Sequence, residues 1–231
     1  MTKQKAPARP ARGVKSGNDL RTLFAPTRRS SMALYCGVDC TYSHRTRMVL
    51  YEKNISAEVI VVTDENLPHE VSGLNPYHSL PMLMDRDLAL YHSPIIMDYL
   101  DERFPHPPLM PIDPISRART RLILYRIERD WYSALEILAG KPDRHQATRA
   151  RKILRENLTA SAPLFAQKQF FLSDELSMVD CSLAPLLWRL PHYGVELPPQ
   201  AKAVEQYAAR LFAREAFQFS LTEVEREMRG G

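Results

Sequence analysis

No run of about 18 apolar residues occurs in the 231-residue chain, which excludes a membrane-spanning helix. The N-terminus lacks the apolar stretch of a secretory signal. Cysteine is scarce: Cys36, Cys40 and Cys181 are too few and too unevenly spaced for a disulfide framework, which points to a reducing cytoplasm. The seven histidines are scattered, and no Cys/His spacing matches a zinc site, so neither a metal nor a cofactor is expected. No internal repeat is present, and strand signal all but vanishes after about residue 115.

Hydrophobic residues make up 45% and charged residues 25%, the profile of a soluble globular protein with one large or two small cores. The net charge of +4 is unevenly placed. Of 31 Lys/Arg and 27 Asp/Glu, eight and one lie in residues 1–30, leaving 23 and 26 for residues 31–231. The basic, Pro/Ala/Gly/Ser-containing tail has little apolar content to offset the entropy of folding, so disorder is expected there. A slightly acidic body is a poor candidate for independent DNA binding.

Local patterns order the rest. "SMALYCG" and "AEVIVVT" read as strands on either side of "YSHRTRMVLYEKN". There Met48, Val49 and Tyr51 alternate with Arg45, Arg47, Glu52 and Lys53, which predicts an amphipathic helix. "LNPYHSLPMLM" is a loop entering a strand, "LALYH" is another strand, and "SPIIMDYLDERF" is a helix that Ser93 is placed to cap. From Ile115 the periods are helical: "ISRARTRLILYRIERDWYSALEILAG", "ATRARKILRENLTASAPLFAQ", "LSMVDCSLAPLLWRL", then stretches near Ala201–Phe212 and Glu215–Met228. Ser177 and Asp180 have capping-box spacing. Arg117, Arg119, Arg121, Arg126 and Arg129 read as a solvated or inter-subunit face, with Glu128 and Asp130 as partners. Trp131, Tyr132 and Trp188 read as core.

Between the two halves lies "DERFPHPPLMPIDP", with five prolines around His106. Proline fixes φ and removes a donor, so no helix continues through it. Two roles fit a stiff, partly apolar segment: a clamp between the halves, or a partner surface that loses little entropy on docking. In the second, the prolines and Leu109 offer apolar contact and His106 a directional hydrogen bond.

A β-α-β/β-β-α unit followed by helices resembles the glutathione S-transferase superfamily. "SLP" matches the place where that superfamily keeps a cis-proline, and "LSMVDCSLAP" matches the capping-box helix of its second domain. The implied fold class is an α/β thioredoxin-like N-terminal domain plus an all-α C-terminal domain. The expected division is a basic tail over 1–30, the first domain over 31–103, a proline-rich linker over 104–114 and the helical domain over 115–231.

More narrowly, "YSHRTRMVLYEKNI", "LNPYHSLPMLMDRDLALYHSPIIMDYLDERFPHPPLMP", "RIERDWY" and "FLSDELSMVDCSLAPLLWRLP" resemble the stringent starvation protein A family. That resemblance implies a dimeric, non-catalytic protein that binds bacterial RNA polymerase holoenzyme, including its primary sigma factor, and alters transcription. Pro105, His106 and Pro107 would be the gripping patch. A homodimer is expected, and a heterodimer is compatible with the family.

The superfamily resemblance marks Cys40, Leu80, Pro81, His92 and Ser93 as vestiges of a glutathione site. His92-Ser93 stands where glutathione-binding relatives carry an acid or amide before serine, and histidine cannot replace a carboxylate that pairs with the ligand ammonium. The competing expectation is a glutathione-dependent transferase or thiol reductase using Cys40, which precedes a helix whose dipole favours thiolate. Thr41 replaces the usual proline of that motif, and no second cysteine follows.

Overall fold

The structure is a computed structural model that describes residues 31–63, 68 and 73–229. The expectation for the basic tail falls outside them. β1 (Ala33–Gly37) leads into α1 (Thr41–Glu52) and β2 (Glu58–Val62), then come β3 (Met82–Asp85), β4 (Leu88–Tyr91) and α2 (Ser93–Arg103). The sheet order is β2-β1-β3-β4. β1 runs parallel to β2, as a helical crossover requires, and antiparallel to β3, while the tight β3–β4 hairpin is antiparallel. Alternation along β1 sends Leu34 and Cys36 into the main core, and Ala33 and Tyr35 into a smaller cluster with Val62, Met82 and Met84.

α1 departs from the amphipathic expectation. His44, Arg45, Thr46, Arg47 and Lys53 are all buried, and Tyr51 is the more exposed residue. The sheet takes only one side of α1, and elements of the helical half cover the rest. Its polar residues therefore face partners from distant sequence instead of water.

The helical half begins with α3 (Pro114–Arg126), which runs through a π-helical turn, Ile127–Tyr132, into α4 (Ser133–Ala139). Asp113 caps α3 by accepting from Ser116 N at 2.7 Å. α5 (Arg144–Phe165), α6 (Met178–Arg189), a 3-10 turn at Pro199–Ala201 and α7 (Lys202–Phe212) follow. α6 is buried almost throughout and forms the spine of this half. The capping box at its start is present: Ser177 Oγ accepts from Val179 N, and Asp180 accepts from Ser177 N at 2.7 Å. Trp131 and Tyr132 lie in the core, and Trp188 packs against it.

The stretch Glu215–Met228 is not one helix. It divides into α8 (Glu215–Ser220) and α9 (Glu223–Glu227) because Thr222 starts a new capping box, accepting from Glu225 N at 3.2 Å. The break lets α8 pack on α1 while α9 turns back toward α6. Among the described residues, no helix is long and apolar enough to cross a membrane.

Candidate functional site

Two of the positions expected to be vestiges of a glutathione site, Cys40 and Leu80, meet. Cys40 is the N-cap of α1, and its Sγ accepts from Ser43 N at 3.4 Å and lies 3.7 Å from the Leu80 carbonyl. Leu80–Pro81 is a cis peptide, as the "SLP" string predicts. A Cβ on Gly37 would approach Cys40 Cβ to 2.9 Å, so this corner needs glycine at position 37.

Ser93 corrects the capping expectation. The N-cap of α2 is His92, at φ +72° and without a side-chain cap bond; Ser93 already lies inside the helix and is buried. Its Oγ accepts from Arg45 Nε at 2.8 Å and Nη2 at 2.6 Å. Arg45 also reaches Glu128 at 3.1 Å and stacks between Tyr42 and Tyr132. The serine at the position that a γ-glutamyl group would need thus accepts from a buried guanidinium and keeps its O–H as a donor. His92 is exposed, with Nε2 3.9 Å from Glu128.

An interdomain cleft of about 530 Å³ opens beside these residues, walled by Tyr42, Arg45, His92, Arg121, Tyr125 and Glu128. Burial and a hydrogen bond to Glu136 push the Tyr42 phenol well above its ordinary range. Tyr42 therefore stays protonated and donating.

The proline segment divides into an exposed tip and a buried base. Pro105, His106 and Pro107 are exposed, and His106–Pro107 is a second cis peptide. Leu109 and Met110 are only 3% and 4% exposed, which corrects the expectation that Leu109 offers partner contact. The cause is a buried anchor. Lys53 Nζ donates to Asp101 Oδ1 at 2.7 Å and to the Pro107 carbonyl, while Asp101 accepts from Leu109 N at 2.9 Å. Leu109 O in turn accepts from Met178 N at 2.8 Å, tying the segment to the start of α6. The Pro-His-Pro tip is therefore displayed by a loop fastened from below.

Along α3 and the π-helical turn, Arg119, Arg121, Arg126 and Arg129 are exposed. Arg117 pairs with Glu102, Arg121 with Asp98 and Arg126 with Asp130. Glu128, expected on that face, instead turns inward to Arg45. Exposed pairs of this kind contribute little to stability.

One buried network carried no local signal in the sequence. Arg47 of α1 and Arg189 of α6 both donate to the Glu225 carboxylate, which is fully buried. Arg189 Nη1 donates to His44 Nδ1 at 2.9 Å, so the His44 Nε2–H donates to Ser220 Oγ at 2.9 Å, and Ser220 Oγ donates to Phe217 O at 2.7 Å. Burial, then Arg189 and Arg47, hold His44 well below the ordinary histidine value of 6.5.

The sign follows from linkage. Above pH 6.5 both folded and unfolded rings are neutral; below it the unfolded ring binds a proton that the folded ring refuses, so stability falls with acid. The slope is about 1.4 kcal/mol per pH unit. His44→Gln keeps one acceptor and one donor without a titrating ring. Urea unfolding should show the variant gaining about 1 kcal/mol relative to wild type on going from about pH 6.5 to about pH 5.5, since the unfolded ring is half-protonated at the start. Equal acid losses in both proteins would contradict a buried neutral His44.

The models of the glutathione S-transferase N-terminal and C-terminal domains match residues 39–103 and 129–211. The chain is 47% identical over 204 residues to a stringent starvation protein A homolog of Coxiella burnetii, covering 87% of this chain and 97% of the relative. A homolog of the same name from Pasteurella multocida is 46% identical, covering 85% and 93%. Human glutathione S-transferase omega-2 is 30% identical, covering 78% of each chain. Among solved structures, glutathione transferase Omega 3C from Trametes versicolor superposes with a TM-score of 0.74 at 23% identity, covering 90% of each chain, which bears on fold alone.

Proposed function

Since the chain belongs to the stringent starvation protein A family and carries the glutathione S-transferase fold, we propose that it is a non-catalytic, starvation-linked cytoplasmic regulator that grips bacterial RNA polymerase and its primary sigma factor through Pro105, His106 and Pro107. One observation carries this reading. The three residues are exposed at the tip of a loop whose base is held by Lys53, Asp101 and buried Leu109. A surface that is rigid before binding gives up little conformational entropy on docking. Self-association is part of the proposal: Ile95 on α2 and Ile115, Leu122 and Tyr125 on α3 leave an apolar, exposed face suited to a second copy or a homologous partner.

The second reading, thiol chemistry at Cys40, is favoured by its partly exposed position at the start of α1 beside the Leu80 carbonyl. Against it stands the histidine at position 92, which cannot replace a carboxylate that pairs with a ligand ammonium.

Replacing Pro105, His106 and Pro107 together by alanine should leave the chain folded, because the tip buries little; the two lost prolines loosen the unfolded chain and cost about 0.4–1 kcal/mol each. Polymerase holoenzyme captured from lysate should fall about tenfold or more, since a few rigid anchors commonly dominate an interface. A folded variant that binds polymerase like wild type sinks the proposal. So does an unfolded variant, because the segment would then act only as a clamp. Glutathione-agarose retention with transferase or reductase turnover of the wild type, lost in Cys40→Ser, would favour the second reading.

A further inference from the structure

The first half of α5 is charged against its own folding. Residues 141–155 hold Lys141, Arg144, Arg149, Arg151, Lys152 and Arg155 against the single acid Asp143. Arg144 occupies the first turn, where the helix dipole disfavours a cation. Arg151 with Arg155, Arg149 with Lys152, and Lys152 with Arg155 are like-charge neighbours at i,i+4 or i,i+3, each unfavourable to the helix. Only Lys152 has relief along the helix, from Glu156 at 3.8 Å. Among the described residues, no ion pair reaches Arg144, Arg149 or Arg155.

These side chains are exposed while Ala147, Ala150 and Leu154 are buried; at about 100° per residue Arg144, Arg151, Lys152 and Arg155 share one stripe beside the buried residues, and Arg149 lies off it. Arg144 to Arg155 spans about 16 Å along the axis. One strand of duplex DNA presents about five phosphates over that length. The stretch itself contains no Phe, Tyr or Trp, the aromatic side chains on which single strands chiefly stack. A stripe of cations suits a backbone contact that reads no sequence.

Its position separates it from the Pro-His-Pro tip. Leu109, beside that tip, is bonded to the start of α6, whereas Arg151 Nε donates to Tyr193 O, just past the other end of α6. α6 has 12 residues, about 18 Å. One face can therefore meet polymerase while the other reaches past it.

We propose that the exposed cationic face of α5 over residues 144–155 is a contact surface for the phosphate backbone of duplex DNA. The choice of DNA as the duplex rests on the polymerase reading above; the preference for an anionic backbone rests on the face itself. The contact is auxiliary, because the body as a whole is slightly acidic.

The test compares the full chain with R144Q/K152Q/R155Q by fluorescence anisotropy on a labelled duplex of about 30 base pairs, without polymerase. Arg151 is left in place because it holds the Tyr193 carbonyl. The basic tail is identical in both proteins, so it cancels. Between about 50 and 200 mM salt, the slope of log affinity against log salt should become shallower by about 2–3, near 0.9 for each lost phosphate contact. Affinity at about 50 mM salt should drop at least tenfold, with an unchanged melting curve. Identical slopes, or no binding by the wild type at about 50 mM salt, would overturn the proposal.

Loss of polyglutamate binding with duplex binding intact would assign the face to an acidic protein, and a larger loss on an RNA duplex would assign it to RNA; either overturns the DNA reading. The Pro105/His106/Pro107 triple-alanine variant should bind the duplex like wild type. Failure of the α5 proposal is thereby distinguishable from failure of the polymerase reading.

Discussion

Glu225→Ala should destabilise the protein by about 3–5 kcal/mol, the cost of removing one partner of a buried charge pair. The carboxylate is inaccessible to water and holds two arginines, Arg47 through one oxygen and Arg189 through the other, while also accepting from Thr222 N at 2.9 Å. Among the described residues, no other carboxylate lies within ion-pair distance of either guanidinium. Arg47 Nη1 and Arg189 Nε already lack hydrogen-bond partners, so the site has no spare acceptor to take over. Alanine would leave two buried cations side by side, against a typical total stability of about 5–15 kcal/mol.

The loss would also be structural in a particular direction. Arg47 donates to Ser220 O at 2.7 Å and Thr222 donates to Val38 O at 2.7 Å, so the same cluster fastens α8 and α9 to the first half of the chain. Glu225→Gln should fall between wild type and alanine, because it keeps an acceptor but not the charge. Urea unfolding of the three proteins reads this order. A loss below about 1 kcal/mol for alanine would mean that water or another acceptor reaches both arginines.

Asp180→Ala should cost about 2–4 kcal/mol, combining a lost helix cap with orphaned buried donors. Oδ2 accepts from Ser177 N and Ser177 Oγ at 2.7 and 2.8 Å, and Oδ1 accepts from Phe171 N at 2.8 Å and from the Tyr207 hydroxyl at 2.6 Å. Burial pushes the Asp180 carboxyl upward while these bonds pull it down. The residue therefore does more than a capping box: it joins the loop at Phe171, the start of α6 and the middle of α7.

Tyr207→Phe removes only one of the four bonds and should cost about 1 kcal/mol. Asp180→Asn, which keeps one acceptor oxygen, should lie between Tyr207→Phe and Asp180→Ala. If Asp180→Ala and Tyr207→Phe cost the same, the capping bonds contribute nothing measurable, and the local reading of that motif is wrong.

What the sequence settled is what short spacings can encode. The strands at Ala33–Gly37 and Glu58–Val62, the capping box of Ser177 and Asp180 and the loop between α2 and α3 all rest on residues within a few positions of one another, whereas the cis bond at Leu80–Pro81 is implied by the superfamily resemblance. Their physics is backbone geometry, and a run of side chains states it directly. Family resemblance, carried by long matching strings, supplied the fold.

Tertiary structure decided the partners. Arg45 and Arg47 occupy what reads as the polar face of an amphipathic helix, yet one is bonded to Ser93, 48 residues away, and the other to Glu225, 178 residues away. Periodicity names the face of a helix but not what covers it. Whether an arginine meets water or a buried carboxylate therefore depends on which distant element packs there. The same reason explains the proline segment: composition allowed both a clamp and a surface. The anchor from Lys53 through Asp101 to Leu109 divided it, burying Leu109 and Met110 and leaving Pro105, His106 and Pro107 in the open.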